Sequence, residues 1–105
     1  MAPVHGENSV YYAAIAYSPA TQKYGYSFSY GTLAQARQQA LRQCPEPDAR
    51  IVVWAKNNYC ALAIGKNGYG VGFGTTAEQA RAKALQDCNQ ETTESRVVEC
   101  IFSGR

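Results

Sequence analysis

The chain has little charge, a single histidine and no long apolar run. Only 17% of its 105 residues are charged and the net charge is +2, which is too small to favour nucleic acid as a partner. The single histidine, His5, stands near the start, so neither a histidine-based triad nor a zinc site is expected. No stretch reaches the roughly 20 apolar residues that cross a bilayer. We therefore predict no metal, no cofactor and no transmembrane segment.

What is present fits one packed domain. Hydrophobic residues make up 46% of the chain, and 105 residues are too few for two independently stable domains. Residues 1–10 show no periodicity and are predicted to form a flexible tail, and residues 11–102 are predicted to form the domain. The first residues lack the basic and apolar segments of a signal peptide. We expect any such leader to have been removed from the chain.

An internal duplication organises the domain. Residues 24–29 (YGYSFS) are echoed by 69–74 (YGVGFG), and residues 32–37 (TLAQAR) by 76–81 (TAEQAR). Each helical run ends at a cysteine, Cys44 or Cys88. A short repeat of this kind buries its apolar face mainly against its twin. Repeat one is assigned to residues 11–56 and repeat two to residues 57–102.

Each repeat is predicted to fold as strand, strand, helix, strand. Thr32 and Thr76 are each followed three residues later by glutamine, which is a capping-box signature for a helix start. Asn67-Gly68 is a strong hairpin signal, and Asn57-Asn58 is a plausible one. We predict an α+β fold in which the two ββαβ repeats form one mixed, mainly antiparallel sheet with both helices packed on one face.

Eight tyrosines are the compositional oddity. Alternation in residues 24–30 and 69–74 places aromatic side chains on one face of each strand and glycine or serine on the other. We expect the aromatic face to pack against the alanine-rich helices, which leaves a flat, glycine-lined face open. The alternative is an exposed aromatic platform that stacks on a ligand. The candidate binding residues are Tyr24, Tyr26, Tyr30, Trp54 and Tyr69.

Four cysteines in so short a chain favour an oxidising compartment and disulfides. Three pairings are possible. We favour Cys60 with Cys100, which would tie a central strand to the last one, and Cys44 with Cys88 would then join equivalent points of the repeats. A secreted or periplasmic location is therefore expected.

Catalytic chemistry finds no support in the sequence. The glycines at 68, 70, 72 and 74 alternate at strand period and do not form a phosphate-binding loop. Cys44 and Cys88 lie at helix C-termini, where the helix dipole disfavours a thiolate. Glu99 interrupts the last strand and is expected at an exposed face or edge. We predict that the protein is not an enzyme.

The succession of motifs resembles the bacterial family known as domain of unknown function 4189, over roughly residues 11–102. The matching segments are YAAIAYS at 12–18, YGYS at 24–27, ALRQC at 40–44, VVW at 52–54, CALA at 60–63, YGVG at 69–72, ARAKAL at 80–85 and Cys88. The resemblance implies a small, usually exported domain with no agreed activity and no catalytic residues to carry over. Relatives often hold a further cysteine shortly after each helix cysteine, which pairs with it locally. Here Asp48, Ala49 and Ser95 occupy such places, so those local disulfides are not possible.

Two functions from different classes follow. The first is a non-enzymatic, extracytoplasmic module that binds a protein or peptide through a sheet face or an edge strand, with an inhibitor or immunity-type protein as its narrower form. The second is a domain that binds glycan or cell-wall fragments through exposed aromatic rings. The oligomeric state and the partner are left open.

Overall fold

The computed structural model describes residues 10–104, so residues 1–9, which include His5 and nearly all of the predicted tail, lie outside the described part. It contains six strands and two helices in the predicted order. The α+β class and the duplicated ββαβ arrangement are confirmed. The elements are β1 (Tyr12–Tyr17), β2 (Tyr24–Tyr30), α1 (Leu33–Arg42), β3 (Arg50–Lys56), β4 (Tyr59–Ile64), β5 (Tyr69–Gly74), α2 (Ala77–Glu91) and β6 (Arg96–Phe102).

The strands form two sheets, and the prediction of a single mixed sheet was wrong. One sheet has the order β2-β1-β3 and the other β5-β4-β6, with antiparallel pairing throughout. Each repeat thus completes its own three-stranded sheet. The Asn57-Asn58 turn, with Asn57 at a φ of 53°, joins strands of different sheets. A turn signal shows that the chain reverses but not which sheet the next strand joins.

The two sheets pack face to face. Alternate residues of the central strands point into the space between the sheets, as the period of two requires. Ile15 and Tyr17 of β1 and Leu62 and Ile64 of β4 belong to one buried cluster there. This central layer is the main core, and both repeats contribute to it.

The helices cover the outer faces of the sandwich, which corrects the prediction of two helices on one face. Ala36 and Ala40 of α1 pack on Ala14 and Ala16 of β1. In the second repeat Ala80, Ala84 and Cys88 of α2 pack on Ala61 and Ala63 of β4. The order of layers is therefore helix, sheet, sheet, helix. Both helices begin at the predicted caps, where the Thr32 and Thr76 hydroxyls accept hydrogen bonds from Gln35 and Gln79 N–H, each at 3.1 Å.

The glycine side of the strands faces the helices, contrary to the expectation that the aromatic side does. A Cβ placed on Gly25 would stand 2.5 Å from the Ala40 carbonyl oxygen, and one on Gly72 would stand 2.5 Å from that of Ala80. At these two positions the helix lies so close to the sheet that only glycine fits beneath it. The aromatic stripe turns the other way, so that Tyr24, Tyr26 and Tyr69 pack against the central layer.

All four cysteines are free, and neither predicted disulfide is formed. Cys60 points into the central layer while Cys100 lies on the helix side of the same sheet, so the two thiols are on opposite faces. Cys44 and Cys88 lie under different helices in the two outer layers. Burial raises the pKa of the Cys60 thiol to about 12. The two halves are therefore held together by hydrophobic packing in the central layer and not by a disulfide.

Candidate functional site

On one side of the sandwich, β3 of the first sheet lies near β5 of the second. Val53 of β3 belongs to the core between the sheets, and Val52 and Val71 pack against it. Two concave regions follow this side and share Val52 and Val71. We call the region that includes Trp54 and Phe73 the apolar groove, and the region that includes Tyr17 and Tyr69 the polar cleft.

The apolar groove has a volume of about 560 Å³ and is lined by Val52, Val53, Trp54, Val71 and Phe73, with Lys56 and Lys83 at its rim. Trp54 is 47% exposed and Phe73 is 54% exposed. The Trp54 ring stands 6.4 Å from that of Tyr12, and the Lys83 ammonium lies 5.3 Å from the centre of the Phe73 ring. Large apolar side chains so exposed beside a concave apolar surface are typical of interaction sites.

The polar cleft has a volume of about 830 Å³ and lies between the β1–β2 loop and the β4–β5 hairpin. Its floor is the pair of Tyr17 and Tyr69 rings, whose centres are 4.6 Å apart. Arg50 donates a hydrogen bond of 3.0 Å to the Tyr69 hydroxyl and lies over the same ring. Because Arg50 covers that ring and Tyr17 is only 1% exposed, the cleft offers little aromatic surface for stacking.

On three of the four sheet edges, a side chain of this protein accepts a hydrogen bond from one outward N–H. Tyr26 N–H of β2 donates to the Gln43 amide oxygen at 3.3 Å, and Val71 N–H of β5 donates to Asp87 at 3.0 Å. On β6, the Cys100 N–H donates to the Glu99 carboxylate. Burial raises the pKa of Glu99, which is half-buried on the edge strand β6, and an edge was one of the two places expected for it. No comparable contact covers Trp54 or Lys56 of β3 in the part of the chain that the structure describes.

The opposite side of the sandwich, between β2 and β6, differs from the side that carries the groove. The register opposes Ala14 to Trp54 in the first sheet and Ala61 to Cys100 in the second, so Cys100 is the counterpart of Trp54. The chain also closes this side, because Ser29 N–H donates to the Ser103 carbonyl oxygen at 2.9 Å. The two related sides of the duplicated molecule are therefore chemically unequal.

The comparison with protein families supports the assignment made from the motifs. The model of the family described as "Domain of unknown function (DUF4189)" matches residues 12–100. The chain belongs to the DUF4189 family. No curated protein and no solved structure gives a significant match.

The candidate binding residues of this DUF4189 domain do not converge on one site. Trp54 lines the apolar groove and Tyr69 lines the polar cleft. Tyr24 is half-buried on the opposite side and donates a hydrogen bond of 3.1 Å to the Val98 carbonyl oxygen, and Tyr26 stacks with Phe28 beside it. Tyr30 packs against the cluster under α1.

Phe73, Lys56 and Lys83 of the groove were not among the candidates. Phe73 and Tyr69 lie on the same face of one strand. Strand alternation alone does not show which of two residues on a shared face is exposed to solvent. Lys83 reaches Phe73 from α2 of the same repeat, and Lys56 joins them only through the packing of one sheet on the other. The repeat still offered one signal, because Trp54 and its counterpart Cys100 break the similarity of the two halves.

The DUF4189 domain shows no cluster of metal-ligating side chains within residues 10–104. No three histidine, cysteine or carboxylate side chains in this range lie close enough to hold a metal ion. None of the helices described is both long and apolar enough to span a bilayer. The apolar groove is the surface that suggests a function.

Proposed function

We propose that this DUF4189 domain is a non-enzymatic protein-interaction module that binds a segment of a partner protein in the apolar groove. The observation that carries the proposal is the exposure of Trp54 and Phe73 beside a groove between two sheets. A few aromatic side chains of this kind supply most of the binding free energy in many interfaces. Covering them also removes a substantial apolar area from water.

The narrower form of the proposal is an inhibitor or immunity-type protein that acts on one secreted or periplasmic enzyme. It predicts a single tight partner. The extracytoplasmic location now depends on the family resemblance alone, because the disulfides that favoured it are not formed. Weak capture of many unrelated proteins would count against this form.

The test is affinity capture with the tagged protein from the envelope and culture medium of its own organism. The captured partner is then titrated against Trp54→Ala and Phe73→Ala variants. We expect each substitution to weaken binding about thirtyfold, since truncating an aromatic anchor costs about 2 kcal/mol. Phe28→Ala is the matched control, because Phe28 occupies the equivalent position in the other repeat, is 50% exposed and lies on the opposite side. Equal binding by all four proteins would refute the proposed site.

A second proposal is binding of glycan or cell-wall fragments. It is supported by the half-exposed Trp54 ring, since aromatic rings stack on sugar faces. Titration with soluble wall fragments should then shift the tryptophan fluorescence of the protein. An unchanged spectrum at saturating fragment concentration would exclude Trp54 as a sugar platform.

A further inference from the structure

We propose that the partner segment binds as an extended strand added to the free edge of β3, with apolar side chains facing the groove and acidic side chains facing outward. This inference rests on the proposed interaction role. It adds the backbone conformation and the charge pattern of the bound segment, neither of which follows from an exposed groove alone.

The register of β3 shows which backbone groups face outward. Asn57 N–H donates to the Tyr11 carbonyl oxygen at 3.0 Å, so position 57 faces β1. Hydrogen-bonding direction alternates along an antiparallel strand. Positions 55 and 53 therefore also face β1, and the N–H and C=O groups of Trp54 and Lys56 point away from it. These four groups are what a fourth strand would bond to.

Each of the other three edges has one outward N–H that is already bonded to a side chain of this protein. Gln43, Asp87 and Glu99 each accept a hydrogen bond from an edge N–H of β2, β5 and β6. Edge strands are commonly protected in this way against unwanted pairing. Within residues 10–104, β3 is the edge whose outward groups lack such an acceptor.

Side chains of an added strand would point alternately into the groove and toward the outer face of the first sheet. Residues pointing inward would lie over Val71 and Phe73, which line the groove from the second sheet. Residues pointing outward would lie beside Trp54 and Lys56, which share the outer face of the first sheet. An alternation of aliphatic and polar side chains is therefore the pattern that this edge selects.

The charges near the groove indicate which polar side chains the partner segment would carry. Lys56 and Lys83 line the groove, and no carboxylate does. An acidic side chain that points outward from the added strand would pair with Lys56, which lies on that same outer face. A second copy of this chain paired through β3 would set lysines and arginines of the two edges near one another, which is unfavourable. The geometry and charge thus favour an acidic partner segment over self-association.

The probe is a random library of short peptides selected against the intact protein. We expect the selected peptides to alternate aliphatic with acidic residues. Each selected peptide is resynthesised with single N-methyl groups along its backbone, because N-methylation removes one amide N–H and leaves the side chains unchanged. Strand addition predicts that binding is lost about tenfold or more at every second position, since each lost N–H leaves a β3 carbonyl unpaired. The intervening positions should tolerate the methyl group.

The outward charge is tested separately with Lys56→Glu. We expect this substitution to weaken binding of the acidic peptides about fivefold to tenfold, an effect that high salt reduces. Arg42→Glu, at the exposed end of α1 away from the groove, is the control and should leave binding unchanged.

The outcomes separate this inference from the proposed function. Peptides that lose affinity with Trp54→Ala but show no period of two in N-methylation, or that are basic, overturn strand addition and leave the interaction role standing. Peptides that bind equally to Trp54→Ala and Phe73→Ala place binding elsewhere, which refutes both. Failure to select any peptide also counts against the inference.

Discussion

Gly72 lies where β5 passes directly beneath α2, and its lack of a side chain sets the distance between helix and sheet. We predict that Gly72→Ala destabilises the protein by about 1–3 kcal/mol, because the new methyl group overlaps the backbone of α2. Urea denaturation measures the change. Gly31→Ala is the matched control, since no atom lies within 4 Å of the position of its Cβ, and it should change stability by less than about 0.5 kcal/mol. Equal stability of the two variants would contradict the close approach.

The buried thiols give a second prediction at the scale of residues. In the native protein at pH 8, Cys60 should resist alkylation because it is fully buried and its pKa is raised to about 12. In denaturant all four thiols should react without prior reduction, which mass spectrometry counts directly. Two reactive thiols and one oxidised pair would contradict the structure.

Glu99 predicts a pH dependence. Its folded-state pKa is raised by burial above the ordinary value of 4.5, so the folded protein holds this proton more tightly than the unfolded chain. Stability from this group is present below about pH 4.5 and is lost as the pH rises through the folded-state pKa. We expect Glu99→Gln to be more stable than the native chain at pH 7, with the difference shrinking toward pH 4, as measured by urea midpoints at both values. A constant difference would refute the assignment.

The sequence identified residue types better than it identified their surroundings. Thr32 and Thr76 cap helices as predicted because capping depends on neighbours three residues away. Gly70 and Gly72 were correctly seen to share one face of a strand. Which layer that face meets depends on the packing of a distant helix, and local spacing does not contain that information.

At the scale of elements, the edge of β5 is held by the side chain of Asp87 from α2. We predict that Asp87→Ala speeds hydrogen exchange of the Val71 amide and lowers stability by about 1 kcal/mol or less, since water replaces the lost acceptor. Gln43→Ala tests the same device in the first repeat, where it should affect the Tyr26 amide. Unchanged exchange in both variants would show that neither contact protects its edge.

The connections show where prediction from sequence ended. Asn67-Gly68 joins β4 and β5 as a hairpin within one sheet, as its composition indicates. Asn57-Asn58 has similar turn chemistry but carries the chain from one sheet to the other. The difference is decided by the apolar face that each strand must bury, and both sheets offer one. Turn residues alone therefore do not determine the number of sheets. The groove between β3 and β5, which exists because there are two sheets, could not be predicted from them either.

At the scale of the whole molecule, the two repeats share one central core. Ile15 of the first repeat and Leu62 of the second belong to the same buried cluster. We predict that residues 10–57 and 58–104, prepared as separate chains, are each unfolded, because a half of about 50 residues with its main apolar face uncovered lacks a sufficient core. Circular dichroism and a search for a cooperative unfolding transition test this. A cooperative transition in either isolated half would contradict the prediction.

The inequality of the two sides has a consequence for stoichiometry. Two identical halves would present two identical edges, and such a molecule would be bivalent and able to crosslink its partners into chains. Here Cys100 stands at the position in the second repeat that corresponds to Trp54, and the Ser103 carbonyl oxygen accepts a hydrogen bond across the second side. The single accepting edge that we propose would make the molecule monovalent. Such a molecule would terminate an assembly where a symmetric duplicate would extend it.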